Sequence, residues 1–343
     1  MQKTMLAVVK EKPEAGVVIK QIPVPIPKND EVLIKVLNAS ICGTDIGIYN
    51  WTPWAAGHIT PPIVIGHEVV GKIIQIGDSV STKTSQGLSI GDIVSSETHI
   101  YCGNCYQCKV GNLHVCEKME LFGIGRNGGF AEYATIPIRT TWKNDPSIPV
   151  EAMSVAEPLG NAVHVITKGN VAGKKVLVIG LGPTGLCAGM VAKAYGASEV
   201  VGINRGEYRR ELAKNVGFDR VLEKLPDAEN DTFDVVAEMS GSQAGIQIAF
   251  DAARIAGKII AFGIPKEDIT LNWGKYLINK ELSIDSVFGR RIWETWYQTS
   301  DLLTSGKIDL TKIITHRFKL ADFEEAMKVM MSGECGKVLL EVK

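Results

Sequence analysis

Three observations predict an α/β chain made of a β-rich part and a doubly wound parallel-sheet part. Residues 1–160 are short β-branched runs broken by Gly, Pro, Asn and Asp. Over 174–285, short apolar runs alternate with stretches of helical spacing, the pattern of a parallel sheet covered by crossover helices. At the first crossover stands Gly180-Leu181-Gly182-Pro183-Thr184-Gly185, a strand-to-helix turn of the form Gly-x-Gly-x-x-Gly.

In the first part, strands are expected at 17–27 (VVIKQIPVPIP), 30–40 (DEVLIKVLNAS), 69–77 (VVGKIIQIG) and 91–96 (GDIVSS). Prolines 23, 25 and 27 assign the first of these to an edge or a connection. The second part reads strand KKVLVIG, helix PTGLCAGMVAKAYGA stopped by Gly196, strand EVVGIN, helix GEYRRELAKNVG, then strands FDVVAEM, KIIAFGI and LSIDSVFG. Helices are expected over 293–305 and 323–331, and KVLLEV as a last strand. The domains follow as 1–160, 161–294 and 295–343, the last returning to the first domain.

Bulk properties exclude several function classes. With 343 residues, 45% of them hydrophobic, the chain can bury two cores. A formal net charge of -1 creates no field that would draw nucleic acid or an anionic membrane. No apolar run approaches the ~18 residues of a membrane span. The first residues, MQKTMLAVVKEKPEAG, lack an apolar signal core with a small-residue cleavage site, so a cytoplasmic location is expected.

The glycine turn after KKVLVI is a dinucleotide site. Gly180, Gly182 and Gly185 allow the tight turn and the approach of backbone to a pyrophosphate. Pro183 and Thr184 open a helix whose N-terminus offers free N–H groups and partial positive charge. That makes the second part a Rossmann domain. An acid about 20 residues further on would bind the ribose hydroxyls of NAD. Here Asn204 and Arg205 stand after the second strand, with Arg209 one turn on. A neutral residue followed by arginine suits the 2′-phosphate of NADP, so NADP is favoured over NAD.

Four of the seven cysteines fall within fifteen residues: Cys102, Cys105, Cys108 and Cys116. Four thiolates on so short a loop close a tetrahedral zinc shell with no open position, a structural site. The ferredoxin cluster motif needs a three-residue last gap followed by proline, whereas seven residues and Glu117 stand here. Disulfides are disfavoured by the odd cysteine count and a reducing compartment. Cys187 reads as helix core and Cys335 as an inert turn cysteine, while His164 reads as a packed, bonded histidine.

A second set is dispersed: Cys42 in CGTD, His67 and Glu68 in GHE, and Glu157 in AEPLGNAVH. Thiolate, imidazole and carboxylate together suit a zinc ion with an exchangeable position. Spacings this wide carry little specificity, and on the residues alone a structural role for each stays open.

The order CGTD, GHE, four-cysteine lobe, EPLGNAVH and GLGPTG resembles the zinc-containing medium-chain dehydrogenases along essentially the whole chain. IYNWTPW, ETHIYCGNC, GGFAEY, GRRIWETWY and GKIDLTKIITHRF are most similar to that family's threonine and polyol (sorbitol) dehydrogenase group. The resemblance implies a GroES-like catalytic domain with its zinc lobe near 98–118. It implies that Cys42, His67 and Glu68 hold a catalytic zinc that Glu157 joins in some states, and that the four lobe cysteines hold a second zinc. It gives Thr44 the substrate oxygen and the start of a proton relay, and His99 a place in the substrate pocket. It also implies a homotetramer, with a dimer second.

Two departures matter. Gly47 stands where the family commonly has a relay histidine, and Asn204 where it has the ribose-binding acid. They point to an NADP-linked oxidoreductase acting on a polyol or sugar-like secondary alcohol. NAD-linked oxidation of L-threonine at C3 is the alternative. A nucleotide-binding sensor without turnover is a third reading, opposed by the complete set at 42, 67, 68 and 157 with Thr44.

Overall fold

The computed structural model describes residues 3–77 and 87–342. The chain forms two compact units, Met1–Glu157 with Ile314–Lys343, and Pro158–Ile313.

The first unit is built on a seven-stranded sheet. Strand Glu31–Ile41 lies at its centre, because seven of its eleven residues are apolar and most of the strand is buried. It pairs antiparallel with Glu68–Ile76 along one side. Along the other side it pairs with Tyr133–Pro137 at its start and with Lys337–Glu341 at its end. Ile93–Ser96 and Thr141–Lys143 extend the sheet beyond Glu68–Ile76, and Ile314–Lys319 lies beyond Lys337–Glu341. Val32, Ile34, Val36, Ile73, Val94, Phe122, Phe130, Phe323, Met327 and Val338 form the core of this unit. A three-stranded sheet, Val18–Pro23, Thr4–Lys10 and Ile63–Val64, completes it. Strand 17–27 of the sequence reading therefore stops at Pro23, where the proline run removes ladder donors. Strands Thr4–Lys10 and Arg220–Leu222 and helices Gly43–Tyr49 and Pro53–His58 were not expected.

The second unit carries a six-stranded, all-parallel sheet. Its spatial order is Arg220–Leu222, Glu199–Ile203, Lys175–Ile179, Phe233–Glu238, Ala253–Ala261 and Ser283–Ser286. In chain order this is 3-2-1-4-5-6, the doubly wound arrangement, with helices Pro183–Ala194, Glu207–Asn215 and Gln243–Ala252 as crossovers. Right-handed crossovers on either side of the first strand place helices on both faces and leave a switch point beside its carboxyl end.

The unit boundaries differ from the expected 160/161 and 294/295. The second lies after Ile313, because Glu294–Thr304 and Leu310–Ile313 stay with the second unit. Trp296, Leu302, Leu310 and Ile313 bury their side chains there, and Leu310–Ile313 packs on helix Pro183–Ala194. Helical spacing announces a helix but not which sheet will cover it. Among the described residues, no helix is long and apolar enough to cross a membrane.

One glycine aims the GHE segment. Gly66 has φ +93°, and a Cβ there would lie 2.2 Å from the ring of buried Phe130. Both the turn and the contact exclude a side chain. Gly66→Ala is expected to cost about 2 kcal/mol or more, from backbone strain plus overpacking. A thermal melt lowered by several degrees checks this, and an unchanged melt would refute the clash.

Candidate metal centre and nucleotide site

Strand Glu31–Ile41 ends one residue before Cys42, which caps helix Gly43–Tyr49. The Cys42 N–H donates to Asp45 Oδ2 at 2.8 Å, so the fully buried Asp45 fixes the turn that presents the thiol. The thiol lies 3.8 Å from the Thr44 hydroxyl. His67 follows Gly66, and Glu68 opens strand Glu68–Ile76 opposite Ser40. The register thus carries three distant residues to one corner. Ligand atoms of Cys42, His67 and Glu68 lie within 4.8 Å of one another.

Whether a metal fits this corner is answered by the atoms around it. His67 Nδ1 and Asp45 Oδ1 are both buried without a hydrogen-bond partner and face each other at 3.6 Å. That leaves the other imidazole nitrogen for Cys42 and Glu68, the arrangement of a metal-binding histidine backed by a carboxylate. Burial alone would lower the His67 imidazole, but Asp45, then Cys42 and Glu157, outweigh it and hold it up to about 10. Burial pushes the Asp45 carboxyl up, against the pull of His67. A thiol, an imidazole and a carboxylate converging within 4.8 Å, beside polar atoms left without partners, are the donor set of a zinc site.

Glu68 is fully buried and engaged on both oxygens. Lys337 Nζ donates to Oε1 at 2.7 Å, and the Ser40 hydroxyl donates to Oε2. Lys337 also donates to the Ile41 carbonyl at 3.1 Å. Burial would lower the Lys337 ammonium, but Glu68, then Cys42 and Glu157, keep it above its ordinary value. Glu157 lies in the first turn of helix Ala156–Gly169 and stands outside the three-atom cluster. Its carboxylate accepts from the Thr98 hydroxyl at 3.4 Å and acts electrostatically on His67 and Lys337. Next to Thr98, buried His99 is gripped by Glu97, whose Oε1 accepts from the His99 backbone N–H at 2.8 Å and meets its Nδ1 at 2.9 Å. A carboxylate at Nδ1 sets the tautomer and leaves Nε2 as the acceptor nitrogen of the neutral ring.

The sulfurs of Cys102, Cys105, Cys108 and Cys116 likewise lie within 4.8 Å of one another. Backbone N–H groups point at them: Cys105 to Cys102 at 3.4 Å, and Cys102 and Lys118 to Cys116 at 3.3 Å each. Such donors favour the thiolate. Backbone donation from Asn104, aided by Cys105, draws the Cys102 thiol down to about 6, while burial pushes Cys108 up to about 12.

In the second unit, Gly182 caps helix Pro183–Ala194 with Pro183 at its first position. A Cβ on Gly185 would lie 2.0 Å from the Gly180 carbonyl oxygen, so this helix packs against its strand only because no side chain intervenes. Thr184 lies in the first turn. The Asn204 side chain is tied into the same turn, its Oδ1 accepting from the Leu181 N–H at 3.2 Å and its amide donating to the Gly206 carbonyl at 3.1 Å. Half-buried Arg209 reaches over the glycines, its Nη1 4.0 Å from the position a Gly182 Cβ would take. Exposed Arg205 and Lys224 line a cavity of about 410 Å³ together with Leu225, Asn230, Ile248 and the carboxylates of Glu223, Asp227 and Asp251. His164 is packed and bonded through Nδ1 to the Gly289 carbonyl at 3.0 Å, and Cys187 is buried in helix Pro183–Ala194.

Sequence reasoning missed Asp45, Glu97, Lys337 and Lys224. Asp45 lay inside the CGTD motif, and Glu97 two residues before His99, where a carboxylate beside a histidine is a readable signal. Lys337 carries no local signal, since only the pairing of the last strand with Glu31–Ile41 brings it to Glu68.

A model described as the alcohol dehydrogenase GroES-like domain matches residues 28–149, and one described as zinc-binding dehydrogenase matches residues 183–305. Among similar proteins, the L-threonine 3-dehydrogenase of Pyrococcus horikoshii is 43% identical, with 100% of each chain covered. That of Bacillus licheniformis is 40% identical over 99% of each. Among solved structures, galactitol-1-phosphate dehydrogenase from Escherichia coli superposes with a TM-score of 0.88 at 26% identity, covering 98% of this chain and 100% of that one. The chain belongs to the zinc-binding, medium-chain alcohol dehydrogenase family and is an oxidoreductase.

The contrast within the lobe is measurable. In protein stripped of metal at pH 7, iodoacetamide should alkylate Cys102 before Cys108, because backbone donors favour the Cys102 thiolate while Cys108 is buried and its thiol is pushed up. Peptide mapping reads the order, and equal rates would contradict it.

Proposed function

We propose that this oxidoreductase converts the secondary alcohol at C3 of L-threonine to a ketone and passes the hydride to NADP. The convergence of Cys42, His67 and Glu68 on one point, backed by Asp45, carries the reading. A zinc ion held there would supply Lewis acidity toward an alcohol oxygen, and the nicotinamide would supply the hydride acceptor.

The chain's own residues supply positions and a proton path. Asp45, facing His67 Nδ1 at 3.6 Å, favours the proton on that nitrogen and leaves the other for a metal. Thr44, half-buried and two residues after Cys42, offers a hydroxyl to accept the alcohol proton and hand it on. Gly47 has no group to continue a relay, so the proton leaves from Thr44 to water. The substrate loses one hydride and one proton, and the cofactor gains the hydride. His99, aligned by Glu97, orients the substrate. Glu157 is the carboxylate that joins the metal in some states, and the four lobe cysteines hold a second, structural zinc.

Two lines support threonine ahead of the polyol expected first from the sequence. Full-length relatives at 40–43% identity bear that activity in their names. The Glu97–His99 pair also supplies a buried, oriented polar group for an amino acid. A sugar-derived alcohol is the second reading, favoured by Gly47 and by the structural likeness to a galactitol-1-phosphate dehydrogenase. NADP is favoured over NAD because the Asn204 side chain is tied to the glycine turn, while Arg205 and Lys224 line one cavity.

Initial rates with L-threonine, run in parallel with NADP and NAD, test this directly. Turnover faster with NADP is expected, and Arg205→Ala should weaken NADP about tenfold or more while leaving NAD nearly unchanged. Turnover with galactitol-type substrates alone would overturn the threonine assignment, and equal losses for both cofactors would overturn the role of Arg205. Elemental analysis should find about two zinc ions per chain. Cys42→Ser should retain one and lose activity, whereas an active Cys42→Ser protein would remove the assigned centre.

A further inference from the structure

The cavity beside the second strand of the parallel sheet has a charge problem. Its wall carries two cations, Arg205 and Lys224, against three carboxylates, Glu223, Asp227 and Asp251. Left so, the wall would repel a phosphate dianion, and the carbonyl oxygens of the turn after Ile203 would add to the repulsion. Residues behind the wall reverse this. Half-buried Arg210, in the first turn of helix Glu207–Asn215, reaches back under the turn. Its Nη1 donates to the Asn204 carbonyl at 3.0 Å and to the Arg205 carbonyl, and its Nη2 lies 3.6 Å from Glu223 Oε2. Asp251 is met from behind in the same way. The Tyr276 hydroxyl donates to its Oδ1 at 2.8 Å, Gln247 donates to its Oδ2 at 3.0 Å, and Lys275 Nζ stands 3.4 Å from Oδ1. Asp227 is exposed to water.

We propose that Arg210 is a positioning residue that sets cofactor specificity. Without touching the cofactor, it covers two carbonyls and the Glu223 carboxylate and so makes the cavity receptive to the 2′-phosphate of NADP. The inference deepens the reading that the cofactor is NADP and rests on it. A guanidinium suits the task because its planar fork serves the carbonyls through one nitrogen and the carboxylate through another. Holding both carbonyls also fixes the backbone from which the Arg205 side chain leaves, so that Arg205 is aimed while the acid beside it is screened. Without Arg210, Glu223 would be free to pair with Arg205 or Lys224 across the wall, and the cations that face the phosphate would be occupied by an acid. The ribose of NAD carries a neutral hydroxyl at that place, and its binding is indifferent to this balance.

Adenosine 2′,5′-bisphosphate and 5′-AMP differ only in the 2′-phosphate, so the ratio of their affinities isolates its contribution. Isothermal titration of the full chain at low ionic strength measures both, and a thermal melt of each variant reports folding. Arg210→Met should weaken the bisphosphate about fivefold or more and 5′-AMP less than about twofold. Arg210→Lys keeps the charge without the fork, and its ratio should fall between that of wild type and that of Arg210→Met. Adding Glu223→Gln to Arg210→Met should recover at least half of the lost affinity, because the acid that Arg210 covered is gone. Equal losses for the two probes, or a double variant no better than Arg210→Met, would show Arg210 to be a fastener of the turn only and overturn the proposal. An unchanged ratio in Arg210→Lys would overturn it as well, which decides the matter if Arg210→Met does not fold. Wild-type protein that binds 5′-AMP as tightly as the bisphosphate would instead sink the NADP reading itself, and the proposal with it.

Discussion

Charge buried in a β-rich core is the constraint on which this corner of the molecule depends. Asp45, Glu68, Glu157, His67 and Lys337 are all buried within one unit, beside the Cys42 thiol. An ionised group taken out of water is tolerated only if an opposite charge or several donors meet it. Each geometric feature of the site follows from that requirement: Asp45 accepts from a backbone N–H and faces an imidazole, and Glu68 takes an ammonium and a hydroxyl. Breaking one such buried pair costs about 3–5 kcal/mol, a large share of a domain's stability. A site under that obligation cannot drift, and rigidity of this kind is what positioning a metal requires.

The second unit meets a different demand with different means. A dinucleotide needs backbone brought close to phosphate, and absent side chains accomplish this. Gly185 packs against Gly180 at a distance no Cβ permits, and the Asn204 side chain ties the turn to the end of the neighbouring strand. Where the first unit spends polar side chains to neutralise one another, the second leaves N–H groups for an anion to neutralise.

Much of this was legible in the chain because the strongest signals are local. Strands Lys175–Ile179, Glu199–Ile203 and Phe233–Glu238 were found within about a residue, since parallel strands buried on both faces read as continuous apolar runs. The cysteine lobe is one short loop and the glycine turn one hexapeptide, so spacing alone implied their convergence. Cys42, His67 and Glu68 came together only through the register of Ser40 against Glu68, which a linear reading cannot supply without the family resemblance. Lys337 was invisible for the same reason in stronger form, lying 269 residues from its partner. The helix after residue 293 was found, yet its unit was misjudged, because amphipathic spacing specifies a buried face and not the surface that buries it.

The Lys337 strand also sets an order of events during synthesis. A ribosome emits Glu68 early and Lys337 only after the whole nucleotide unit has passed, since that unit lies between them in the chain. Until then the first unit lacks two strands of its main sheet, leaving backbone groups of Glu31–Ile41 unpaired over Asn38–Ile41. Its carboxylate likewise has no cation of its own. The buried corner at Glu68 is thus completed only by a strand made after the nucleotide unit.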